Sequence, residues 1–328
     1  MARPCGTSTG GRPTIGTGNR SGELKRDPVK QQLDALADAR RDPHSPASQK
    51  LIAAALAAKI SLAAAKAAKI AGEAGLENLA PALAEAFDRF FTAADKQCEA
   101  KIEIARALRS LEYPSAGLFL RGTRHVQMEG SFGEPVDTAA ELRGVCVLGL
   151  VDIGYPDALL EAVALLVDRW VPARVGAIRA LGASGEPGAE LVLRLKVFHG
   201  DKSTEVIGEC FAELCQMRPE RSIPFVAGYL DSPDREIAEA AALALGETRH
   251  AEAFDALRAK WERDITGFRR TLLVAIATLR QEAAFEFLLK LVADGKRRES
   301  EDAATALAIY RHDEALQLRV REAQAKRT

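Results

Sequence analysis

Helix-length segments of this chain end at nearly constant intervals. The ends of the segments rich in alanine and leucine are separated by 31, 33, 31 and 34 residues. A period of this length is typical of a repeat array, in which one helical unit cannot bury its apolar face alone and must stack on its neighbours. The aligned ends are Val151, Gly182, Cys215, Gly246 and Arg280.

Each repeat is predicted to contain two helices, because other helix-length segments lie between those that were aligned. Examples are PDALLEAVALLVD at 156–168 and AAFEFLLKLVA at 283–293. Aromatic residues make up only 5% of the chain, so the core must be built from aliphatic and small side chains. Small residues let neighbouring helices approach closely. The predicted fold is therefore an all-α, right-handed α-solenoid of about seven or eight helix pairs.

Four of these segments resemble short HEAT repeats, the kind that is also found in phycobilin lyases. REIAEAAALALGE at 235–247 and ARVGAIRALGASG at 173–185 carry the resemblance best, and LRGVCVLGLVDIG at 142–154 and the segment at 203–215 are weaker matches. The resemblance extends over about residues 46–313. It implies an architecture and not a particular activity, because one fold hosts many functions.

The remaining segments complete the predicted domain organisation. Residues 1–27 are rich in glycine, threonine, serine and arginine, and they are predicted to be a disordered basic tail. Residues 28–45 are predicted to be an N-terminal helix and linker, followed by the solenoid at 46–313. Residues 314–328 are predicted to be a C-terminal capping helix with a polar outer face.

One repeat carries an insertion, which we place at 119–137. The interval from Arg109 to Val151 is 42 residues, about ten more than the others. Within it, HVQME partly alternates between polar and apolar residues, and GSFG is a turn sequence. This pattern predicts a short β-hairpin between the two helices of one repeat. Thr138 and Glu141 have the spacing of a capping box for the next helix, with Asp137 as a rival cap.

Basic side chains are expected to cluster near this insertion. An ordered loop on a rigid scaffold is where binding residues tend to lie. The alternative is that the insertion only covers exposed core where two repeats meet. The candidate binding residues here are Arg121, Arg124, His125 and Arg143.

An acidic stripe forms a second candidate binding surface. Glu205, Glu209 and Glu213 follow one another at every fourth position, which places them on one face of a helix. The stripe would repel a phosphate backbone and could receive a basic peptide. It could also be an ordinary solvated face.

A third group of residues would suit a nucleic acid. Some HEAT-like DNA glycosylases hold DNA on a concave basic surface with tryptophan and aspartate, and this chain has Trp170 close to Asp168. Arg269 and Arg270 lie together on a predicted inner helix. The formal net charge is -1, however, so no overall field draws the chain to nucleic acid or to a membrane.

Motifs of catalysis and metal binding are not found in a suitable setting. GxxxxGK[ST] and HExxH are absent, as is a GxGxxG after a strand. GxSxG occurs as GTSTG at 6–10, but this segment lies in the predicted disordered tail and follows no strand. None of the five histidines is followed by glutamate, which argues against the iron-binding His-Glu pairs of some HEAT-repeat enzymes. Five cysteines without a CxxC pair argue against zinc and disulfides and favour a reducing cytoplasm. We therefore expect no catalytic residue, metal or cofactor.

The sequence thus predicts a non-catalytic scaffold or adaptor that binds a protein or peptide on the concave face of the solenoid. No apolar run approaches the length that a membrane span requires, so no membrane partner is expected. A nucleic-acid-binding HEAT-like protein is one alternative. A chromophore-lyase-type enzyme or enzyme accessory is the other.

Overall fold

The computed structural model describes residues 28–130 and 133–327, so the predicted basic tail at 1–27 lies outside the described residues. Within those ranges the chain forms eighteen α-helices and two short strands. The helices are α1 (Pro28–Ala39), α2 (Pro46–Ala57), α3 (Ser61–Glu73), α4 (Ala80–Phe90), α5 (Glu99–Ser110), α6 (Ala116–Thr123), α7 (Ala140–Asp152), α8 (Ala158–Leu165), α9 (Val171–Ala183), α10 (Pro187–His199), α11 (Thr204–Met217), α12 (Pro219–Ala227), α13 (Arg235–Glu247), α14 (Ala251–Arg263), α15 (Arg269–Thr278), α16 (Glu282–Asp294), α17 (Arg297–Leu307) and α18 (Glu314–Ala325).

The helices form two layers. The odd-numbered helices from α3 to α17 pack against one another in chain order and make an inner layer. The even-numbered helices from α2 to α16 form the outer layer, and each makes a pair with the inner helix that follows it. The eight pairs in the described residues confirm the predicted all-α solenoid. The inner helices α7, α9, α11, α13 and α15 end within two residues of the predicted positions, at Asp152, Ala183, Met217, Glu247 and Thr278.

Small residues bring the inner helices closer together than the outer ones. A Cβ on Gly246 of α13 would lie 3.0 Å from the Cα of Ala275 on α15. A Cβ on Gly72 of α3 would lie 2.9 Å from the Cα of Ala107 on α5. The outer helices touch one another much less. Because the more closely spaced layer lies on the inside of a curved stack, the inner layer forms the concave face.

The core consists of two clusters of buried side chains that meet at α7. One cluster extends from Leu36 to Ala158, and the other from Val147 to Ala323. Every residue of α7 from Leu142 to Leu150 is buried. Helix α7 therefore has side chains in both clusters.

The predicted hairpin is confirmed. Strand β1 (Met128–Glu129) pairs antiparallel with β2 (Val136–Asp137), between the two helices of one repeat. The first residues of the predicted insertion belong to α6, which ends at Thr123. Phe119 is fully buried in it, and a Cβ on Gly149 of α7 would lie 2.6 Å from the Phe119 ring. The non-helical part of the segment therefore begins at Arg124.

The predicted capping box at Thr138 and Glu141 is wrong. Helix α7 begins at Ala140, and no side chain hydrogen-bonds its N-cap turn in the way a capping box requires. The Thr138 hydroxyl lies 3.0 Å from Glu129 Oε1 in the hairpin, and Glu141 pairs with Arg106 on α5. The rival cap, Asp137, accepts the Ala139 N–H at 3.0 Å. The hairpin occupies the hydroxyl that the capping box would have used.

Candidate binding site

A row of aspartates precedes successive inner helices at one edge of the solenoid. Each carboxylate accepts a backbone N–H at or just before the start of its helix, where the helix dipole favours negative charge. The donors are Ala100, Ala139, Trp170 and Ser203, at 2.8–3.0 Å from Asp95, Asp137, Asp168 and Asp201 respectively.

Basic residues lie six positions after three of these aspartates, and the two arginines among them connect neighbouring repeats into a buried ladder. Lys101 Nζ lies 3.1 Å from Asp95 Oδ2. Arg143 donates to Asp137 at 2.7 Å and, through two nitrogens, to Asp168 of the next repeat at 3.0 and 3.1 Å. The ladder links neighbouring repeats and fixes their register.

Arg174 extends the same ladder to α11. Its Nη2 donates to Asp201 at 2.7 Å, and Lys196 Nζ approaches the same carboxylate at 2.8 Å. Although burial opposes ionisation, the hydrogen bonds from Arg174 and Lys196 lower the pKa of Asp201 to about 2. Burial also opposes the charge of Asp137, but hydrogen bonds from the Gln127 backbone and from Arg143 outweigh it and lower its pKa.

Arg143 therefore has a different place from the one expected. It is 4% exposed, and its guanidinium also donates to the His125 carbonyl at 2.8 Å. The guanidinium donates hydrogen bonds to two carboxylates and a carbonyl, and it therefore stabilises the hairpin. Because it is buried, it is not accessible to a partner. The six-residue spacing from aspartate to lysine or arginine was the sequence signal that could have identified the ladder.

The other basic residues near the hairpin are only partly clustered. Arg121 pairs with Asp88, and its guanidinium lies 4.4 Å from the centre of the Phe91 ring. The His125 ring packs on the same Phe91 at 4.8 Å, and burial lowers the His125 pKa. Arg124 reaches away to Glu161 on α8 at 2.7 Å. Of these candidates, Arg121 and Arg124 have exposed side chains.

Trp170 lies at the start of α9, beside the ladder. Its backbone N–H donates to Asp168, and the Arg169 guanidinium lies 5.3 Å from the centre of its ring. Arg169 also approaches Glu134 of the hairpin at 3.5 Å. The indole is half-buried, and it is Arg169 that connects the hairpin to the repeat that follows it.

The acidic stripe lies on α11, in the inner layer. Glu205 is exposed, and Glu209 accepts from Arg179 of α9 at 2.5 and 3.2 Å. The half-buried Glu213 packs over Gly182, where an added Cβ would collide with its carboxylate. Burial, together with the nearby charge of Glu209, raises the pKa of Glu213 to about 7. Within the described ranges, neither Glu205 nor Glu213 has an ion-pair partner.

The surface between α11 and α13 combines these carboxylates with small and apolar residues. Gly208 and Ala240 meet there, since a Cβ on Gly208 would lie 3.5 Å from the Ala240 Cβ. Leu243 is 45% exposed on the same helix as Ala240. Two further glutamates stand at the start of α13: Glu236 accepts from the Thr204 hydroxyl, and Glu239 pairs with Arg235. The middle of the inner layer is thus an acidic surface that also presents apolar side chains of α13.

The C-terminal end of the inner layer is basic instead. Arg269 and Arg270 begin α15, as the sequence grouping indicated. Arg269 pairs with Glu299 at 3.0 Å and Arg270 with Asp302 at 2.8 Å, both on α17. Acidic and basic candidate residues therefore occupy different parts of the inner layer.

The buried cysteines are unsuited to nucleophilic chemistry. Burial raises the pKa of Cys98, Cys210 and Cys215 to about 12, so their thiols are protonated. Among the described residues, no three His, Cys, Asp or Glu side chains are grouped to hold a metal ion. Every helix of residues 28–130 and 133–327 falls short of the length and apolar content that a membrane crossing requires.

Comparison with known proteins supports the repeat assignment. The family described as HEAT repeats matches residues 191–272, which run from within α10 into α15. The HEAT-like repeats that the sequence predicted are confirmed, and the matched segment contains the acidic stripe. No curated protein matches the chain.

Three solved structures are similar over most of their length. Human deoxyhypusine hydroxylase in complex with glycerol is 17% identical, over 88% of this chain and 92% of that one, with a TM-score of 0.31. The complex of CpcE and CpcF of phycocyanin lyase from Nostoc sp. PCC7120 is 16% identical, over 75% and 94%, with a TM-score of 0.38. An engineered protein is 15% identical, over 93% and 95%, with a TM-score of 0.36.

Proposed function

We propose that this HEAT-repeat solenoid is a non-catalytic scaffold or adaptor that binds a basic segment of a protein partner on its concave face. The observation that carries the proposal is the acidic stripe of Glu205, Glu209 and Glu213 on α11. Three carboxylates share one face of an inner helix, and only Glu209 has a basic partner among the described residues. HEAT repeats generally mediate protein interactions, and extended concave surfaces are what solenoids use for them.

The raised pKa of Glu213 indicates what kind of partner would be favoured. Its anion is destabilised by burial and by the neighbouring Glu209. A lysine or arginine from a partner would remove that destabilisation. Binding would then lower the Glu213 pKa and release a proton, so affinity for a basic peptide should rise as the pH increases through about 7.

The apolar side chains of this surface can pack against the methylene groups of basic side chains. Lysine and arginine can lay their methylene groups on apolar atoms while the charged head reaches a carboxylate. Ala240 and Leu243 on α13 provide the apolar atoms, beside the carboxylates of α11. An amphipathic basic helix or an extended basic peptide would fit this arrangement.

The proposal is tested with three fluorescent peptides that share their apolar positions and carry positive, zero or negative net charge. Fluorescence polarisation should detect binding of the positive peptide alone, and the affinity should fall as salt is added. The triple variant E205Q/E209Q/E213Q should weaken that binding at least about tenfold.

A matched control separates the stripe from the overall charge of the protein. The triple variant E220Q/E252Q/E286Q replaces three exposed glutamates of the outer helices α12, α14 and α16, and above pH 7, where Glu213 is ionised, it makes the same change in charge. It should bind the positive peptide as the unmodified protein does. Equal losses in the two triple variants would contradict a specific site on α11.

Neither alternative function has comparable support. The acidic middle of the inner layer would repel a phosphate backbone laid along it. Arg269 and Arg270, which together with Trp170 were the basis of the nucleic-acid alternative, are both paired with carboxylates of α17. The chromophore-lyase-type alternative stays a prediction, which a bilin-binding assay would test.

A further inference from the structure

A cationic cavity of about 400 Å³ lies at the C-terminal end of the inner layer. It is bounded by the loop before α15 and by the first turns of α15 and α17. Five basic side chains line it together with two carboxylates, Glu299 and Asp302, which leaves a net positive lining. The basic residues are Arg235, Arg269, Arg270, Lys296 and Arg298.

Two buried donors belong to side chains that line this cavity. Trp261 is 7% exposed, and its Nε1 has no hydrogen-bond partner among the described residues. The Arg269 guanidinium lies over the same indole at 3.9 Å, and its Nε is also buried without a partner there. Both nitrogens are inaccessible to solvent, so these two side chains contribute to the cavity as a wall whose positive charge is the guanidinium stacked on the indole.

The start of α15 adds further donors. Its first three residues, Arg269, Arg270 and Thr271, all line the cavity. No side chain caps this helix, and the Arg269 N–H makes only a long hydrogen bond, of 3.5 Å, to the Thr266 carbonyl. The positive end of the helix dipole favours an anion at this position.

The ion pairs at the cavity leave two cations available. Arg269 is held by Glu299, Arg270 by Asp302, and Arg235 by Glu239. Lys296 has no ion pair within the described part of the chain. Arg298 reaches Asp302 only at 4.0 Å and is 85% exposed. An incoming anion would therefore meet Lys296 and Arg298 first.

We propose that this cavity binds a compact, multiply charged phosphate group of diphosphate or triphosphate size. Its volume lies within the range of small-molecule sites. Guanidinium groups match the oxygen geometry of phosphate, and a lysine serves it as a point charge. A long phosphodiester fits less well, because Glu236 and Glu239 of the adjoining α13 would repel it. This inference does not depend on the proposed peptide site.

Trp261 provides a direct readout of binding. The chain has two tryptophans, so a W170F variant leaves Trp261 as the only one. Its emission is titrated with sodium pyrophosphate while sodium chloride keeps the ionic strength constant, and isothermal titration calorimetry is run in parallel. We expect saturable binding by calorimetry, accompanied by a change in Trp261 emission.

Two neighbouring arginines make a matched pair of variants. Arg298 lines the cavity, whereas Arg297 is 90% exposed, pairs with Glu301 and lies outside the lining. R298Q and K296Q should each weaken pyrophosphate binding by about tenfold, and R297Q should leave it unchanged.

Three results would overturn the proposal. The first is the absence of saturable heat in calorimetry, whatever the fluorescence does. The second is an equal loss of affinity in R297Q and R298Q, which would indicate general charge attraction. The third is tighter binding of a single-stranded oligonucleotide than of pyrophosphate, which would make the cavity part of a nucleic-acid surface.

Discussion

Gly144 of α7 and Gly176 of α9 face each other with no side chain between them. A Cβ on Gly144 would lie 2.9 Å from the Cα of Gly176, and a Cβ on Gly176 would collide with the backbone of Gly144. The two inner helices are therefore in direct backbone contact at this point. The closeness of the inner layer depends on both residues remaining glycine.

Replacing Gly176 with alanine should destabilise the protein by about 1–3 kcal/mol, because the helices would have to separate to accept the methyl group. The control is G208A, since the Cβ would meet only the Ala240 Cβ at 3.5 Å. In the interior of α11 that change should stabilise by about 0.5–1 kcal/mol. Urea unfolding followed by circular dichroism measures both variants. Equal stability of the two would show that the contact tolerates a side chain.

Replacing Arg143 with methionine should lower the free energy of unfolding by about 3–5 kcal/mol. The change leaves the buried Asp137 without its cation and removes both hydrogen bonds to Asp168. R124Q breaks the exposed pair with Glu161 and should cost only about 0–1 kcal/mol. Chemical unfolding compares the two arginine variants with the unmodified chain. A loss in R143M no larger than that in R124Q would mean that the ladder contributes little to stability.

The stability of the protein should decrease as the pH rises through the titration range of Glu213. Burial raises the pKa of this carboxyl from 4.5 to about 7, so between these pH values the folded protein holds a proton that the unfolded chain has released. E213Q removes this dependence. Its melting temperature should exceed that of the unmodified protein above pH 7, and the excess should disappear below pH 4.5.

E205Q is the control for that comparison, because Glu205 is an exposed carboxylate on the same helix. Its melting temperature should follow the unmodified protein across the pH range. If E213Q followed it as well, the carboxyl of Glu213 would not be destabilised in the folded state.

The four cysteines of the described residues should be unreactive until the protein unfolds. Cys98, Cys146, Cys210 and Cys215 are all buried, and burial raises the pKa of each thiol. Because the thiolate is the reactive form, DTNB should react very slowly with the native protein. The measurement uses a C5S variant, since Cys5 lies outside the described residues. Rapid reaction of the native variant would contradict the burial of these thiols.

The period of the fold could be predicted from the sequence, because every inner helix must present small residues to its neighbours. The end of α9 near Gly182 and the end of α13 near Gly246 follow directly from that pattern. The hairpin was also predictable, since its alternating residues break the helical period. The prediction of a capping box failed because the Thr138 hydroxyl bonds to Glu129 instead, and these two residues meet only when the hairpin has formed.

The candidate sites were harder to predict because the partners of their charged residues lie in other repeats. In the sequence, Arg143 belongs to a group of basic residues that resembles an exposed cluster. In the structure it bridges Asp137 and Asp168, and Asp168 is 25 residues away. Arg269 and Arg270 pair with residues of α17, about one repeat further along the chain. Nothing in the sequence near Glu213 indicates that its carboxyl packs over Gly182.

The position of α7 between the two buried clusters has a mechanical consequence. In a stacked array a pulling force passes from each unit only to its neighbours, so all units carry the same load in series. Helix α7 transmits that load from one half of the core to the other, because its buried side chains belong to both. Tension applied to the two ends would therefore pass from one cluster to the other through α7, next to the contact between Gly144 and Gly176.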